Sequence, residues 1–407
     1  MPGLPPLLPL LGLGRVLAGR ALSVPLSNPC KDELPDDLAR HELVRAAWEG
    51  VDAGAAWDMH VHLVGEGDGG SGCWVNPDMD SPLHPAQYLQ KRFLLNAGCA
   101  HRASKGAVDA AYAERLRQLA AGMAPGFRAL LLAFDFCRDE DGVEDCGGST
   151  FHTPNAYAAR LARQHADVFV WAASVHPYRA DAVAELDWAV ERGAVAMKWL
   201  PSAQNIDPAD PRCDAFYEAL ARHDLPLIVH CGEEKTARAK RLQHLGNPLR
   251  LRRALEHGVR VVVAHCATLG LDADLERDGR SVASFDLFAR LMDEPRYQGR
   301  LFGDISAITL VNRAGRVREL LAREAWHGRL LNGSDYPLPG IIPFFAPEQF
   351  AALGLLPPEA VPVLDAIQQC NPLLFDFVLK RHLDDGGRRF PAAVFETRRF
   401  FERSPCP

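Results

Sequence analysis

AVAMKWLP (194–201), CDAFYEALARHD (213–224), LPLIVHC (225–231), NPLRLRRALEHG (247–258) and VRVVVAHC (259–266) follow one another along one stretch of the chain, and their order decides the fold. The three apolar runs are short and rich in β-branched residues, as buried strands are. The two segments between them carry apolar residues at helical period. The second helical segment ends in His257-Gly258, a glycine stop directly before the next strand. Lys198, His230 and His265 sit at the strand ends, 32 and 35 residues apart, which is one strand-plus-helix repeat each time. Asp335 follows His265 by 70 residues, or two repeats.

Outward from this stretch the same register covers most of the chain. WDMHVHL (57–63), FRALLLAFDF (127–136), VFVWAASVHP (168–177), LFGDISAI (301–308) and RLLNGSD (329–335) bring the strand count to eight. Eight parallel strands with polar residues at their C-terminal ends predict an α/β fold, a (β/α)8 TIM barrel whose site lies at that face. An open doubly wound sheet would gather those residues at a single switch point instead. The predicted organisation is an N-terminal extension (1–56), a barrel (57–375) with a mouth insertion at about 64–126, and a helical C-terminal extension. Its tail (376–407) is expected to pack on the barrel or on a partner subunit. GEGDGGSG (65–72) has no following Gly-Lys-Ser/Thr, so it is expected to be a mobile loop at the site rather than a phosphate cradle. DEDGVED (139–145) lacks the ligand spacing of a calcium loop.

Composition narrows the function classes. The 407 residues are 48% hydrophobic and 24% charged, which excludes disordered and fibrous proteins. A net charge of −7 argues against nucleic acid or an anionic membrane surface as partner, leaving a small-molecule substrate, with a homodimer open. The ten cysteines show no CxxC and no repeated spacing, so reduced thiols and a cytoplasmic location are expected. Residues 1–14 are apolar but broken by prolines and lack a basic leader, which argues against a signal peptide. No charge-free run reaches the roughly 18 residues of a membrane span.

Asp58-Met59-His60-Val61-His62 sets two histidines at i and i+2 of a strand, so alternation points both inward as a chelating pair. His230, His265 and Asp335 each close an apolar run and add imidazole and carboxylate donors at the same face. Alternation also points Asp58 inward, as a hydrogen-bond partner for a metal-bound histidine. Cys231 and Cys266 follow proposed ligands and therefore face away, into the core.

This ordered set resembles the amidohydrolase superfamily, and its broad amidohydrolase-related branch in particular, over roughly residues 57–375. The motifs are DMHVH, MKWLPSAQNIDPADPRCDAFYEAL leading into LPLIVHCG, VVVAHC and NGSDYP. The resemblance implies that His60, His62, His230, His265 and Asp335 bind one or two divalent ions, zinc by default. It further implies that Asp335 is the catalytic residue that transfers the proton. For Lys198 it implies a carbamylated lysine bridging two ions, since an ammonium has no lone pair to offer. The residues equally allow Lys198 to hold a substrate carboxylate or to pack by its stem. Ions of this kind lower the pKa of bound water toward about 7. His176, Tyr178, Arg179, Trp199 and Tyr336 follow strands three, four and eight and are expected to contact substrate, although His176 serves equally well as a packing histidine. The leading function is hydrolysis of a C–N or C–O bond in an amide, lactam, lactone or ester. The alternatives are a one-ion decarboxylase and a catalytically inactive metal-binding protein.

Overall fold

Eight short strands hydrogen-bond side by side in one parallel sheet: β1 (Trp57–His62), β2 (Arg128–Leu132), β3 (Phe169–Ala173), β4 (Ala196–Trp199), β5 (Leu227–His230), β6 (Val261–Ala264), β7 (Leu301–Asp304) and β8 (Leu330–Leu331). The computed structural model describes residues 27–402, apart from Lys240 and the side chain of Pro343. The apolar run 1–14, with its signal-peptide question, and the end of the tail at 403–407 lie outside the described residues. Sheet closure is made beyond the end of β8. Met59 N donates to Asn332 O (3.1 Å), Asp335 N to His60 O (2.9 Å) and His62 N to Tyr336 O (2.8 Å). The protein is therefore a (β/α)8 barrel with helices on its outer side.

Each outer helix buries one stripe. In Asp214–Arg222, Phe216, Tyr217, Ala219 and Leu220 face the sheet, the i, i+3, i+4 pattern of an amphipathic helix. The helical segment before β6 stops at Gly258, whose φ of +84° lies in the left-handed region that glycine occupies without a Cβ clash. Met59, Leu130, Ala172, Ile228 and Val262 fill the barrel interior, joined by Phe401 from the C-terminal tail. Phe401 stacks on Trp57 (5.9 Å between centroids) and Phe400 packs on Phe302 (4.6 Å). The tail thus plugs the bottom of its own barrel.

Strict alternation fails in β1. Its pairing with β2 shifts register between Asp58 and Val61. Trp57 and Met59 join the interior apolar cluster, and His60 and His62 come directly above them. A bulge re-aims side chains in this way, so residues of both parities face inward and Asp58 leaves the row of the histidines.

The long insertion between β1 and β2 contains helices Pro85–Ala97 and Val108–Ala121. Its glycine-rich loop is pinned rather than draped over the mouth, which corrects the mobile-loop expectation. Asp68 accepts the N–H groups of Val108 (2.7 Å) and Asp109 (2.9 Å), satisfying two free donors at that helix's start. Asp109 in turn accepts the N–H of Glu66 (2.6 Å), the N–H of Gly67 (3.1 Å) and the Ser71 hydroxyl. With its donors held by carboxylates, this loop has no phosphate cradle to offer.

The cysteine reading also needs correction. Cys30 and Cys99, 69 residues apart, form a disulfide that ties the N-terminal extension to the insertion, and seven other described cysteines are free. Spacing alone could not reveal a pair brought together only by folding. No helix among the described residues is long and apolar enough to cross a membrane. Thiol titration of the denatured chain should therefore find two more groups after reduction than before. Replacing both cysteines by serine should lower stability by about 2–4 kcal/mol in urea unfolding, and the difference should vanish when both proteins are reduced.

Candidate metal centre

Three nitrogen and oxygen donors converge at the seam between the first and last strands. His60 Nε2 lies 3.4 Å and His62 Nε2 3.1 Å from Asp335 Oδ1. Asp335 itself has φ +67°, a left-handed turn that carries its carboxylate back across the seam onto β1. Ligands about 2.0–2.1 Å from a tetrahedral zinc stand roughly 3.3–3.4 Å apart, so these donors match the spacing of such an ion.

Hydrogen bonding sets the tautomers. His60 Nδ1 donates to Asp304 Oδ2 at 2.8 Å, both groups being fully buried at the end of β7 and in β1. Burial alone would raise the Asp304 carboxyl, but the His60 contact outweighs it and holds the group ionised. With its proton on Nδ1, His60 turns the Nε2 lone pair toward Asp335 Oδ1. Burial also opposes ionisation of Asp335, yet the imidazoles of His265, His60 and His62 hold it well below the carboxylate range. A cation between His60 Nε2 and Asp335 Oδ1 would be held by both, in place of the Lys198 Nζ that stands 3.2 Å from His60 Nε2.

His265 repeats the arrangement. Its Nδ1 donates to Ser306 O at 3.0 Å, leaving Nε2 free, 3.8 Å from Asp335 Oδ2. His230 Nε2 is buried and makes no hydrogen bond, although Glu234 Oε2 stands 3.3 Å away. The two rings are 5.2 Å apart. Burial pushes both histidines down to about 3, so at neutral pH each is the uncharged imidazole that a metal requires. Lys198 Nζ lies 3.2 Å from His60 Nε2, and burial drives its pKa down as well. These six side chains line one cavity.

None of the five residues expected to contact substrate lines that cavity. Trp199 alternates outward from Lys198, stacks on Phe216 (5.5 Å) and donates to Val175 O (2.8 Å). Tyr336 alternates outward from Asp335 and is buried against Tyr112. The end of β3 is consumed by its own network. His176 Nε2 donates to Gln204 O (2.8 Å) while its Nδ1 accepts the Tyr178 N–H (3.2 Å). Tyr178 Oη accepts the Asp207 N–H (3.1 Å), and Arg179 pairs with Asp181 (2.8 Å) and Asp135 (3.4 Å). Asp58 is likewise not an imidazole partner, since its Oδ1 accepts the backbone N–H of His60 (3.1 Å) and Ser334 (2.8 Å). Burial raises that carboxyl to about 7.

Sequence reasoning missed three residues. Asp304 carried a usable signal, an acid closing the apolar run of LFGDISAI as the other strand-end residues close theirs. Glu234 and Arg313, which also line the cavity, sit in irregular loops whose course no periodicity reports.

The sequence profile of the amidohydrolase family matches residues 57–362. No curated protein sequence matches the chain. Among solved structures, an uncharacterised TIM-barrel protein of Bordetella bronchiseptica is 15% identical, with 77% of this chain and 94% of that one covered and a TM-score of 0.45. A Pseudomonas putida protein assigned by inference as a 2-pyrone-4,6-dicarboxylic acid hydrolase is 17% identical (79% and 97% covered, TM-score 0.42). A 2,6-dihydroxybenzoate decarboxylase from Rhizobium is 14% identical (79% and 97% covered, TM-score 0.40).

Asp304→Asn should weaken metal binding by about 10–100-fold in chelator-competition titrations, because the substituted amide no longer holds the His60 tautomer as a carboxylate does. Burial holds His176 at about 4, against 6.5 as the ordinary value. Between these values the unfolded chain binds more protons than the native one, so stability falls as pH falls, by about 1.4 kcal/mol per pH unit from this side chain. Urea unfolding at pH 6, 5.5 and 5 should give a flatter slope for His176→Gln than for the wild type, by about 1 kcal/mol per pH unit.

Proposed function

Because the chain belongs to the amidohydrolase family, we propose that it is a metal-dependent hydrolase cleaving a C–N or C–O bond of a small amide, lactam, lactone or ester. The observation that carries this reading is the approach of His60 Nε2 (3.4 Å) and His62 Nε2 (3.1 Å) to one carboxylate oxygen, Asp335 Oδ1. We assign the metal ligands as His60, His62, His230, His265 and Asp335, and zinc as the ion that suits an imidazole-rich set.

Lys198 supports a two-ion centre. Its amine is pushed toward the neutral form by burial, and a neutral amine adds carbon dioxide, losing one proton to give a carbamate anion. That anion would offer oxygen donors to an ion held by the neighbouring His60, whose Nε2 lies 3.2 Å from Lys198 Nζ. A bound divalent ion supplies Lewis acidity toward water and toward the substrate carbonyl. Asp335, ionised at neutral pH, accepts the proton of the attacking water and returns it to the leaving nitrogen or oxygen.

A one-ion decarboxylase is the second reading, favoured by the completeness of the His60, His62 and Asp335 set without further donors. Metal analysis of purified protein should return two ions per chain with carbamylated Lys198. Asp335→Asn should lower hydrolysis of a panel of amides, lactams, lactones and esters by about 10²–10⁴-fold while keeping the fold. One ion per chain, an unmodified Lys198 and release of carbon dioxide from an acid would overturn the hydrolase reading in favour of the second.

A further inference from the structure

The loop that leaves β5 turns straight back over its own strand end. Gly232 N donates to Gly246 O (2.9 Å) and Glu233 N to Leu269 O (2.9 Å), which fixes the turn on two neighbouring segments. Gln243 then grips the Glu234 backbone from both sides: its Oε1 accepts the Glu234 N–H (2.9 Å) and its Nε2 donates to Glu234 O (2.7 Å). The Glu234 side chain is 5% exposed and accepts the N–H groups of Thr236 and Ala237 (2.9 Å for the latter), both on Oε1. Other carboxylates that fasten the chain near the site engage both oxygens. Asp109 divides its bonds between Oδ1 and Oδ2, and so does Asp304. Glu234 keeps Oε2 for the cavity, which it lines together with the metal-centre residues.

There Oε2 stands 3.3 Å from His230 Nε2, the buried nitrogen that has no hydrogen-bond partner. We propose that Glu234 is a ligand, together with His230, of a divalent ion on the β5 side of the cavity. The separation of the two atoms is that of neighbouring ligands on one tetrahedral zinc. An ion shared by them satisfies a buried nitrogen and a buried oxygen at once. His265 adjoins both this position and the His60/His62/Asp335 group, its ring 5.2 Å from that of His230 and its Nε2 3.8 Å from Asp335 Oδ2. Each position then has a carboxylate of its own, Asp335 for one and Glu234 for the other. The inference rests on the proposed metal-centred reading, and it supplies a second ion with an anionic ligand that needs no carbon dioxide.

The test is chelator competition on the metal-stripped full chain reloaded with Co2+, read by affinity and by the visible absorption of the bound ion. Losing a hydrogen-bond partner of a ligand costs about 10–100-fold in affinity, and losing the ligand itself should cost at least that. Glu234→Gln should therefore weaken a bound ion by about tenfold or more and alter its absorption. The glutamine keeps an oxygen for the Thr236 and Ala237 N–H groups and brings an N–H to His230 Nε2. The metal-stripped variant should accordingly unfold no more easily in urea than metal-stripped wild type. A loop-fastening role alone predicts equal affinity and an unchanged spectrum, and that result overturns the proposal while the metal-centred reading stands. Absence of saturable ion binding by the wild type overturns both. The wild type also decides the matter should the variant not fold: anomalous scattering from zinc-loaded crystals should place an ion about 2.0–2.2 Å from Glu234 Oε2. An ion on His230 with Glu234 Oε2 beyond about 3 Å overturns the proposal.

Discussion

The seam between β1 and β8 is the contact on which the rest of the structure depends. Closing the barrel and assembling the candidate site are the same event there. The backbone bond from Asp335 N to His60 O joins the last strand to the first, and the side chains of those two residues meet above it. Asp58 ties the seam a second time by accepting N–H groups from both of its sides. The approach is so close that a Cβ at Gly333 would stand 2.7 Å from His60 Cβ, which only glycine avoids.

Beneath the seam, charge supports geometry. Lys380, on a C-terminal helix, donates to Gly333 O (2.7 Å) and pairs with Asp376 (2.5 Å), which accepts the Thr309 hydroxyl (3.0 Å). All of this is buried, and a buried ion pair contributes little net stability unless its remaining hydrogen bonds are satisfied. Gly333 O and the Thr309 hydroxyl supply such bonds here, and the pair holds the turn that presents Asp335. The C-terminal extension therefore serves the site twice, through Lys380 behind the turn and through Phe401 at the barrel floor. Above the seam the balance differs. Asp304 has His60 and the N–H of His265 and Ser306, whereas the buried His230 Nε2 has no hydrogen-bond partner.

Periodicity made the barrel legible, because strand and helix impose different repeats on apolar residues and each βα unit returns the chain to the same face. Lys198, His230, His265 and Asp335 could be read from spacing alone for that reason. His60 and His62 were read as inward-facing from alternation, and they do face inward, although a bulge intervenes; Asp58, on the far side of that bulge, does not follow them. The five residues expected to contact substrate shared one weakness: a position just past a strand end says where the backbone goes, not which way the side chain turns. Trp199 and Tyr336 alternate away from Lys198 and Asp335, and His176 and Arg179 find partners nearby in Gln204 and Asp181.

The order of residues along this chain was enough to establish its eight-stranded parallel barrel, the face that carries the site and the donor types found there. Such features depend on local repeats, which every few residues of sequence record. The Cys30–Cys99 bond, the Asp304 hold on His60 and the convergence of two imidazole nitrogens on one carboxylate oxygen came only with the folded chain. Each joins residues separated by tens to hundreds of positions, at distances of a few ångströms set by packing, and no local pattern encodes such a distance.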